Sequence, residues 1–308
     1  MITGRHHFVR FLLLTLLLLC TAPAGHAQQR IGVIMTGDIE YYRAMHEVFV
    51  EGLKGSQAEI ILQRPFPDSI AWSNAARKLI ALDVDLIVAY GSPAAQAVLH
   101  ERSNIPVVYA GVYDPENAVL AGGKVTGCGF KVPLSSLLRY FRRLKEINSF
   151  SVIFSSLEED SVRQRKELQV LAQQQNIKVS EYDIRSRKDV EQLRDSGNDD
   201  AVFITGSALA HLWIDDILAI AHEERHPTAD IFPDPLEAGV LITLYPPPQA
   251  QGKRAAEMVK AILAGARPTD IEPELFRETE LVFNLVAAEY IGIKFPIQLI
   301  VEATRVIK

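Results

Sequence analysis

The chain has 308 residues, 48% of them hydrophobic and 23% charged, with a formal net charge of −6. These proportions exclude a disordered or collagen-like chain, and the length is that of two domains with full cores. The acidic balance argues against nucleic acid or an anionic membrane as the main partner.

The first 27 residues contain Arg5 and Arg10 and no acidic side chain, which leaves 30 basic against 38 acidic residues in the remainder. The aliphatic run Phe11 to Cys20 follows the two arginines, and the small-residue segment TAPAGHA follows that run. This is the pattern of a secretory signal peptide over 1–27, cleaved after Ala27. The apolar run is short for a membrane anchor. A lipid anchor on Cys20 is disfavoured, because Leu19 stands where a small residue is expected. Cys128 is then the one cysteine left, so no intrachain disulfide forms even in an oxidising compartment. Its surroundings, TGCGF, read as a strand or turn in a packed lobe, and the thiol as structural.

After the leader the pattern alternates strand and helix. Arg30 to Met35 is the first strand, and Tyr41 to Leu53 an amphipathic helix with Met45, Val48, Phe49 and Leu53 as its apolar stripe. A strand at Glu59 to Leu62 and a helix at Ile70 to Leu82 come next. Leu86 to Tyr90 is an unbroken apolar run, the mark of a strand buried on both faces of a parallel sheet. Gly91 supplies a tight turn, Ser92 an N-cap and Pro93 a first helical residue. The helix runs on through Ala94 to Leu99, and Pro106 to Ala110 is a fourth strand. Such a β-α-β-α-β-α-β run predicts a doubly wound parallel sheet.

The pattern then restarts after a helix at Leu134 to Lys145. Strands are expected at Ser151 to Phe154, Lys178 to Tyr182, Ala201 to Ile204 and Thr228 to Phe232. Helices are expected at Ser161 to Gln175, Lys188 to Arg194 and Leu209 to Glu223. A strand at Val240 to Leu244, a helix at Gln249 to Ala264 and a last strand at Glu280 to Asn284 complete the chain. Tyr245-Pro246-Pro247-Pro248 reads as a stiff loop.

The segment AVFITGSALAHL, 201–212, repeats the strand–Gly–Ser–helix design of 86–99. Helix starts of this kind leave backbone N–H groups unpaired at the positive end of the helix dipole, where a carboxylate or phosphate is held at the carboxyl edge of a sheet. Two such junctions predict two similar lobes, each with a rim ready for an anion.

The stretches VDLIVAYGSPAAQA, PVVYAGVYDP, VIFSSLEEDSVRQRKEL and ILAGARPTDI…LVFNLVAAEYIGIKFP occur in this order. Through them the chain, from about Arg30 to its C-terminus, resembles periplasmic substrate-binding proteins of ABC transporters, in the family that includes tryptophan- and other aromatic-amino-acid-binding members. The resemblance implies an α/β fold of two Rossmann-like lobes, each with a doubly wound parallel sheet, joined by a three-crossing hinge (the type I periplasmic binding protein fold) and closing on a small ligand. It implies a first lobe of 30–145 plus 239–265 and a second of 146–238 plus 266–308.

By the same resemblance Ser92, Pro93 and Ala94 match the turn where a ligand carboxylate meets N–H groups and a hydroxyl. Asp114 matches an Asp-Pro turn suited to an ammonium, and Ser155 and Ser156 match a hydroxyl-rich turn of the second lobe. Gly206 and Ser207 stand where members often have Asp-Asn, which removes one contact for an amino group. The Tyr41, Tyr42, Tyr113, Phe232 and Tyr245 rings are candidates to line an aromatic cage or stack on a planar ligand, with core packing the plainer reading of Phe232.

Other patterns favour plainer readings. His222-Glu223-Glu224-Arg225-His226 fits the H-E-x-x-H zinc pattern, but Pro227 puts the second histidine at a helix end, far from the ligand edge. Glu158, Glu159 and Asp160 are acids at a helix start, where the dipole favours them without any acid–base role. Ser92 lacks the surroundings of a nucleophile elbow. His100 and His211 follow the Gly-Ser turns as surface or interlobe residues. The expected protein is a monomeric periplasmic receptor, not an enzyme, with no cofactor and no metal. It would capture an amino acid or a related carboxylate or aromatic metabolite for the permease subunits of an ABC importer. A periplasmic sensor for a membrane signalling partner is the second reading, and a secreted hydrolase the third.

Overall fold

The computed structural model describes residues 28–308 apart from 119, 121–123, 198 and 234–238. The expected signal peptide, with Cys20, lies outside the described residues. In chain order the first half consists of β1 (Arg30–Met35), α1 (Glu40–Gly52), β2 (Glu59–Gln63), α2 (Ser69–Ala81), β3 (Leu86–Tyr90), α3 (Ser92–His100), β4 (Val107–Tyr113) and β5 (Val125–Phe130). There follow α4 (Leu134–Leu144), β6 (Ser149–Phe154), α5 (Glu159–Gln174), β7 (Lys178–Asp183), a 3₁₀ helix (Arg187–Ser196), β8 (Val202–Ile204), α6 (Ala208–His211), α7 (Ile214–Glu223) and β9 (Thr228–Asp230). The last part holds β10 (Ile242–Tyr245), α8 (Pro248–Leu263), β11 (Glu274–Phe276), β12 (Glu280–Asn284), α9 (Leu285–Ile291), α10 (Ile297–Ile300) and β13 (Arg305–Ile307).

These strands build two sheets. The first has the order β11-β5-β4-β3-β1-β2 with every pairing parallel. The second has the order β13-β12-β10-β9-β8-β6-β7 and is parallel except where β10 meets β12. The burial pattern explains the layering. All five residues of β3 are buried, as befits a central strand covered on both faces, whereas the edge strand β2 is half exposed throughout.

The expected lobe limits shift at all three crossings of the chain. The helix α4, expected with the first lobe, packs on the second sheet, its Phe141 ring edge-on to Phe203 at 4.9 Å and Tyr140 edge-on to Phe283 at 5.5 Å. Strand β10 also belongs to the second sheet, between β9 and β12. The helix α8 returns to the first lobe, where Gly252 lies so close to the Met45 carbonyl of α1 that no side chain fits between them. Strand β11 then extends the first sheet beside β5. A buried apolar strand fits either sheet equally well, so composition alone does not decide which lobe receives it.

One further detail differs from expectation. The single helix expected over 209–223 is two, broken at Leu212-Trp213, and Asp215 and Asp216 sit in the first turn of the second helix, where its dipole favours them. Of the two forms expected around Cys128, which is buried, the chain takes the strand, β5.

Candidate functional site

The first Gly-Ser junction is built as its residue types require. Gly91 leaves β3 with a φ of +85°, and the Tyr42 and Thr36 hydroxyls crowd the place a side chain would occupy. Ser92, expected as the N-cap, is instead the first residue of α3, with Gly91 at the cap position, and it is fully buried. Its donors are already engaged. The Ser92 N–H donates to Asp160 Oδ2 at 3.1 Å and the Ser92 hydroxyl to Asp160 Oδ1 at 2.5 Å. Ala94 N–H reaches the Thr36 hydroxyl at 3.4 Å, while Pro93 has no N–H to offer. Asp160 arrives from the first turn of α5, in the other lobe. One turn further on, Arg163 donates to Asp160, to Ser92 Oγ at 3.2 Å and to the Tyr113 carbonyl at 2.8 Å.

The second junction repeats this arrangement within its own lobe. Ser207 caps α6, accepting from Ala210 N–H at 3.0 Å. The Glu158 carboxylate receives the Ser207 hydroxyl at 2.6 Å and the N–H groups of Ala208 and Leu209, each at 2.8 Å. Gly206 N–H goes to Gln164 Oε1 at 2.7 Å. Glu158 is 1% exposed and Asp160 5%. Burial pushes the Glu158 carboxyl up, against the Ser207 hydroxyl and the Leu209 and Ala208 N–H groups. Burial likewise raises Asp160, against Arg163 and Ser92.

Between the two sheet edges lies a cleft of about 180 Å³. Asp38, Tyr41 and Arg43 line it from the first lobe, and His211, Leu212 and Phe232 from the second. The Tyr41 and Phe232 rings stack across it with centroids 4.2 Å apart and planes 13° apart. The Tyr41 hydroxyl accepts from Gln251 Nε2 at 2.5 Å. Phe232 reaches its place because Gly206 has no side chain, as a Cβ there would stand 2.9 Å from the ring. His211 is held at both nitrogens, with Nδ1 2.7 Å from the Ser207 carbonyl and Nε2 2.8 Å from Asp230 Oδ2. Arg43 donates to the Asp38 carbonyl at 2.9 Å and to Glu40 Oε2 at 3.1 Å. At the rim, a Cβ on Gly37 would come within 2.9 Å of Ala208, so the lobes touch there.

On the hinge side the lobes are tied by charge. Asp114 has a φ of +50° and pairs with Lys131 at 3.0 Å, and Lys131 also pairs with Glu167 of α5 at 2.6 Å. The Tyr113 hydroxyl donates to Glu167 at 2.8 Å, beneath the Lys131 ammonium, which lies 4.5 Å from the ring centroid. Burial alone would raise the Asp114 carboxyl, but hydrogen bonds from Asn117 and Lys131 and the charges of Lys131 and Arg163 outweigh it and hold the group below its ordinary value.

The residues singled out in the sequence therefore divide. Tyr41 lines the cleft, and Gly206 backs the Phe232 ring. Ser92, Pro93 and Ala94 lie at the lobe boundary with the N–H groups of Ser92 and Ala94 engaged by the protein itself, and so does Ser207 with its hydroxyl. Tyr113 and Asp114 belong to the hinge-side network. Ser155 is buried in its own turn, its N–H donating to Ser161 Oγ at 2.9 Å. Ser156 is exposed at the outer edge of the second sheet, and both its N–H and its hydroxyl bind Asp183 at 2.7 Å. Tyr245 donates to Glu280 at 2.6 Å between β10 and β12, and burial, then Glu280, pushes its hydroxyl up to about 12. His222 meets the Gly239 carbonyl at 3.0 Å, while His226 lies beyond the helix past Arg225 at φ +56°. Among the described residues no group of three or more His, Cys, Asp or Glu is arranged to hold a metal ion.

Sequence reasoning missed the roles of Asp38 and Arg43 as cleft walls, weighed Phe232 as a cage ring but favoured core packing, and placed His211 only as a surface or interlobe residue. It also placed Glu158 and Asp160 as acids serving their own helix, whereas each satisfies the start of another one. The signal was present in LEEDS, where two acids flank the helix start at a spacing of two, but the partner lay 68 residues away for one and 49 for the other.

Comparison with known proteins agrees with this architecture. The chain is 25% identical over 239 residues to a tyrosine-binding protein of Clostridioides difficile, covering 75% of this chain and 69% of that one. A conserved domain protein of Vibrio cholerae superposes with a TM-score of 0.86 at 22% identity, over 91% of this chain and 100% of the other. An ABC domain from Streptococcus pneumonia in complex with L-Trp superposes with a TM-score of 0.83 at 21% identity, with the same coverage. The fold is that of the type I periplasmic binding proteins. The profile of the ABC transporter substrate binding proteins matches residues 44–307. With two lobes, a cleft between their sheet edges and that match over most of its length, the chain belongs to the ABC transporter substrate-binding protein family.

Proposed function

We propose that this protein captures a small metabolite of aromatic-amino-acid size between its lobes and presents it to the permease subunits of an ABC importer, as a monomer exported by its N-terminal segment. The observation that carries this reading is the stacked Tyr41–Phe232 pair across the cleft, an aromatic wall with one ring from each lobe. A planar ligand is suited to pack beside this ring pair, with His211 and Arg43 at its polar end. Tyr41 and Gly206 are the residues expected from sequence that we assign to the ligand, joined by Phe232, His211 and Arg43. Closure would join the lobes through Asp160, Arg163 and Glu167 without any chemistry on the ligand. The described residues include no helix long and apolar enough to cross a membrane, which accords with an extracytoplasmic receptor that relies on separate membrane subunits. Relatives that bind tyrosine and tryptophan support the size class.

The test is native mass spectrometry of the protein purified from its own host, followed by calorimetry with whatever it retains. A bound small molecule that raises the melting temperature, and loses affinity in Phe232→Ala, is the expected result. No retained molecule, and no stabilisation by any amino acid, amine or aromatic metabolite in a panel, would count against capture.

A further inference from the structure

Two walls of the cleft, Phe232 and His211, are held from behind by one side chain. Asp230 ends β9, which lies between β8 and β10, and it is 0% exposed. Its carboxylate divides its two oxygens between those walls. Oδ1 accepts the Phe232 N–H at 2.9 Å, two residues along the chain, and so holds the turn that carries the ring. Oδ2 lies 2.8 Å from Nε2 of His211, at the end of α6. The other imidazole nitrogen, Nδ1, lies 2.7 Å from the Ser207 carbonyl, which only accepts, so Nδ1 carries a proton. A proton on Nε2 as well makes the ring an imidazolium, the counter-charge that a wholly buried carboxylate requires. The His211 and Phe232 ring centroids are 5.2 Å apart, and Phe232 in turn stacks on Tyr41 of the other lobe.

We propose that Asp230 is the positioning residue of the second-lobe wall of the cleft: it fixes the Phe232 ring through the backbone and the His211 ring through Nε2, and so sets the shape that a ligand meets. This rests on the capture reading above and deepens it, since it names the group that holds two of the ligand-facing side chains. A ring that is already in place when the ligand arrives gives its full contact, whereas one that must first be ordered gives less. Removing the carboxylate leaves the Phe232 N–H and an imidazole N–H without acceptors and lets both rings turn. Asparagine separates placement from charge. Its carbonyl oxygen accepts from the Phe232 N–H as Oδ1 does, and its amide donates to Nε2 of a neutral His211, so both contacts survive without the ion pair. With both ring N–H groups engaged by the protein, His211 meets a ligand through its ring face and charge rather than through a hydrogen bond.

The experiment compares wild type, Asp230→Ala and Asp230→Asn by calorimetry with L-tyrosine and L-tryptophan, by amide hydrogen exchange and by nitrogen NMR of the histidine rings. The His211 signals are assigned by their loss in His211→Gln. Wild type is expected to show both His211 ring nitrogens protonated at neutral pH and a protected Phe232 amide. In Asp230→Ala that amide should exchange at least ~10-fold faster, and the amino acid that wild type binds should bind about 10-fold more weakly. In Asp230→Asn the amide should stay protected and affinity should stay within about 3-fold of wild type, while His211 loses one ring proton. Asp230→Ala binding as tightly as wild type would overturn the positioning and leave capture intact. If Asp230→Ala does not fold, the other two proteins decide: an unprotected Phe232 amide or a bare Nε2 in wild type overturns the proposal, and so does a 10-fold loss of affinity in Asp230→Asn. If neither amino acid binds wild type, capture of that class fails, while a Phe232 amide that is protected in wild type and Asp230→Asn and freed in Asp230→Ala upholds the positioning.

Discussion

Replacing Glu158 by alanine removes the acceptor for three buried donors at once, the Ser207 hydroxyl and the Ala208 and Leu209 N–H groups. Each buried donor left without a partner costs about 1–3 kcal/mol. The loss is less than three such terms, because the carboxylate itself no longer has to be held away from water and solvent can enter the space it leaves. The net expectation is about 3 kcal/mol, which lowers the melting temperature of a chain this long by roughly 5 °C. Glutamine at 158 should cost less, about 1–2 kcal/mol, since its carbonyl oxygen still serves the two donors that share Oε1 and one N–H is left facing an amide NH₂. Thermal and urea unfolding measure the totals, and hydrogen exchange locates them: the Ala208 and Leu209 amides should exchange far faster in Glu158→Ala while β1 to β4 keep their protection. A loss below about 1 kcal/mol in the alanine variant, or a larger loss in the glutamine variant, would refute the assignment of Glu158 as the cap of another helix.

Three more outcomes follow from the same geometry. Phe232→Ala should weaken ligand binding about 10-fold with the fold intact by circular dichroism, since a stacked ring pair contributes about 0.5–1.5 kcal/mol beyond its buried area; unchanged affinity in calorimetry would remove Phe232 from the site. Gly252→Ala should cost about 1–3 kcal/mol by forcing α8 away from the Met45 carbonyl of α1, and an unchanged melting temperature would show that the helices are not in such close contact. His46, whose Nδ1 lies 3.2 Å from the Tyr90 hydroxyl, is lowered from 6.5 to about 4 by burial and then by Arg64. Between those values the unfolded chain takes up a proton that the folded chain refuses, so stability is present above pH 6.5 and is lost as the pH falls toward 4. Half-exposed surroundings reduce the effect to about 2 kcal/mol. Urea unfolding at pH 7 and pH 4.5 should show that much less acid sensitivity in His46→Gln, and equal sensitivity in the two proteins would exclude the mechanism.

The local elements were legible because their signals are local. A five-residue apolar run before Gly-Ser-Pro specifies strand, turn and helix through local sterics, and β3 and α3 form where 86–99 predicts them, although the cap position falls on Gly91 and the Ser92 hydroxyl goes to Asp160. The lobe membership of α4 and β10 was not legible, since it depends on pairing partners tens of residues distant. Phe141 needs an apolar sheet to cover, and nothing in its own helix distinguishes the first sheet from the second. The break at Leu212-Trp213 was hidden for a related reason: both residues suit a helix, and the new start is set by Asp215 and Asp216 together with the packing of α7 on its lobe.

The candidate site shows a sharper limit. Spacing correctly marks a helix start as a place for an anion, because the unpaired N–H groups and the dipole follow from backbone geometry whatever the rest of the chain does. It does not say whose anion. A ligand carboxylate and a side-chain carboxylate satisfy Ser92 equally well in hydrogen-bond terms, and the choice is made by α5, which carries Asp160 across the lobe boundary and Arg163 beside it to offset the buried charge. The same helix start thus serves either recognition or closure. The difference lies in one side chain that the local pattern does not contain.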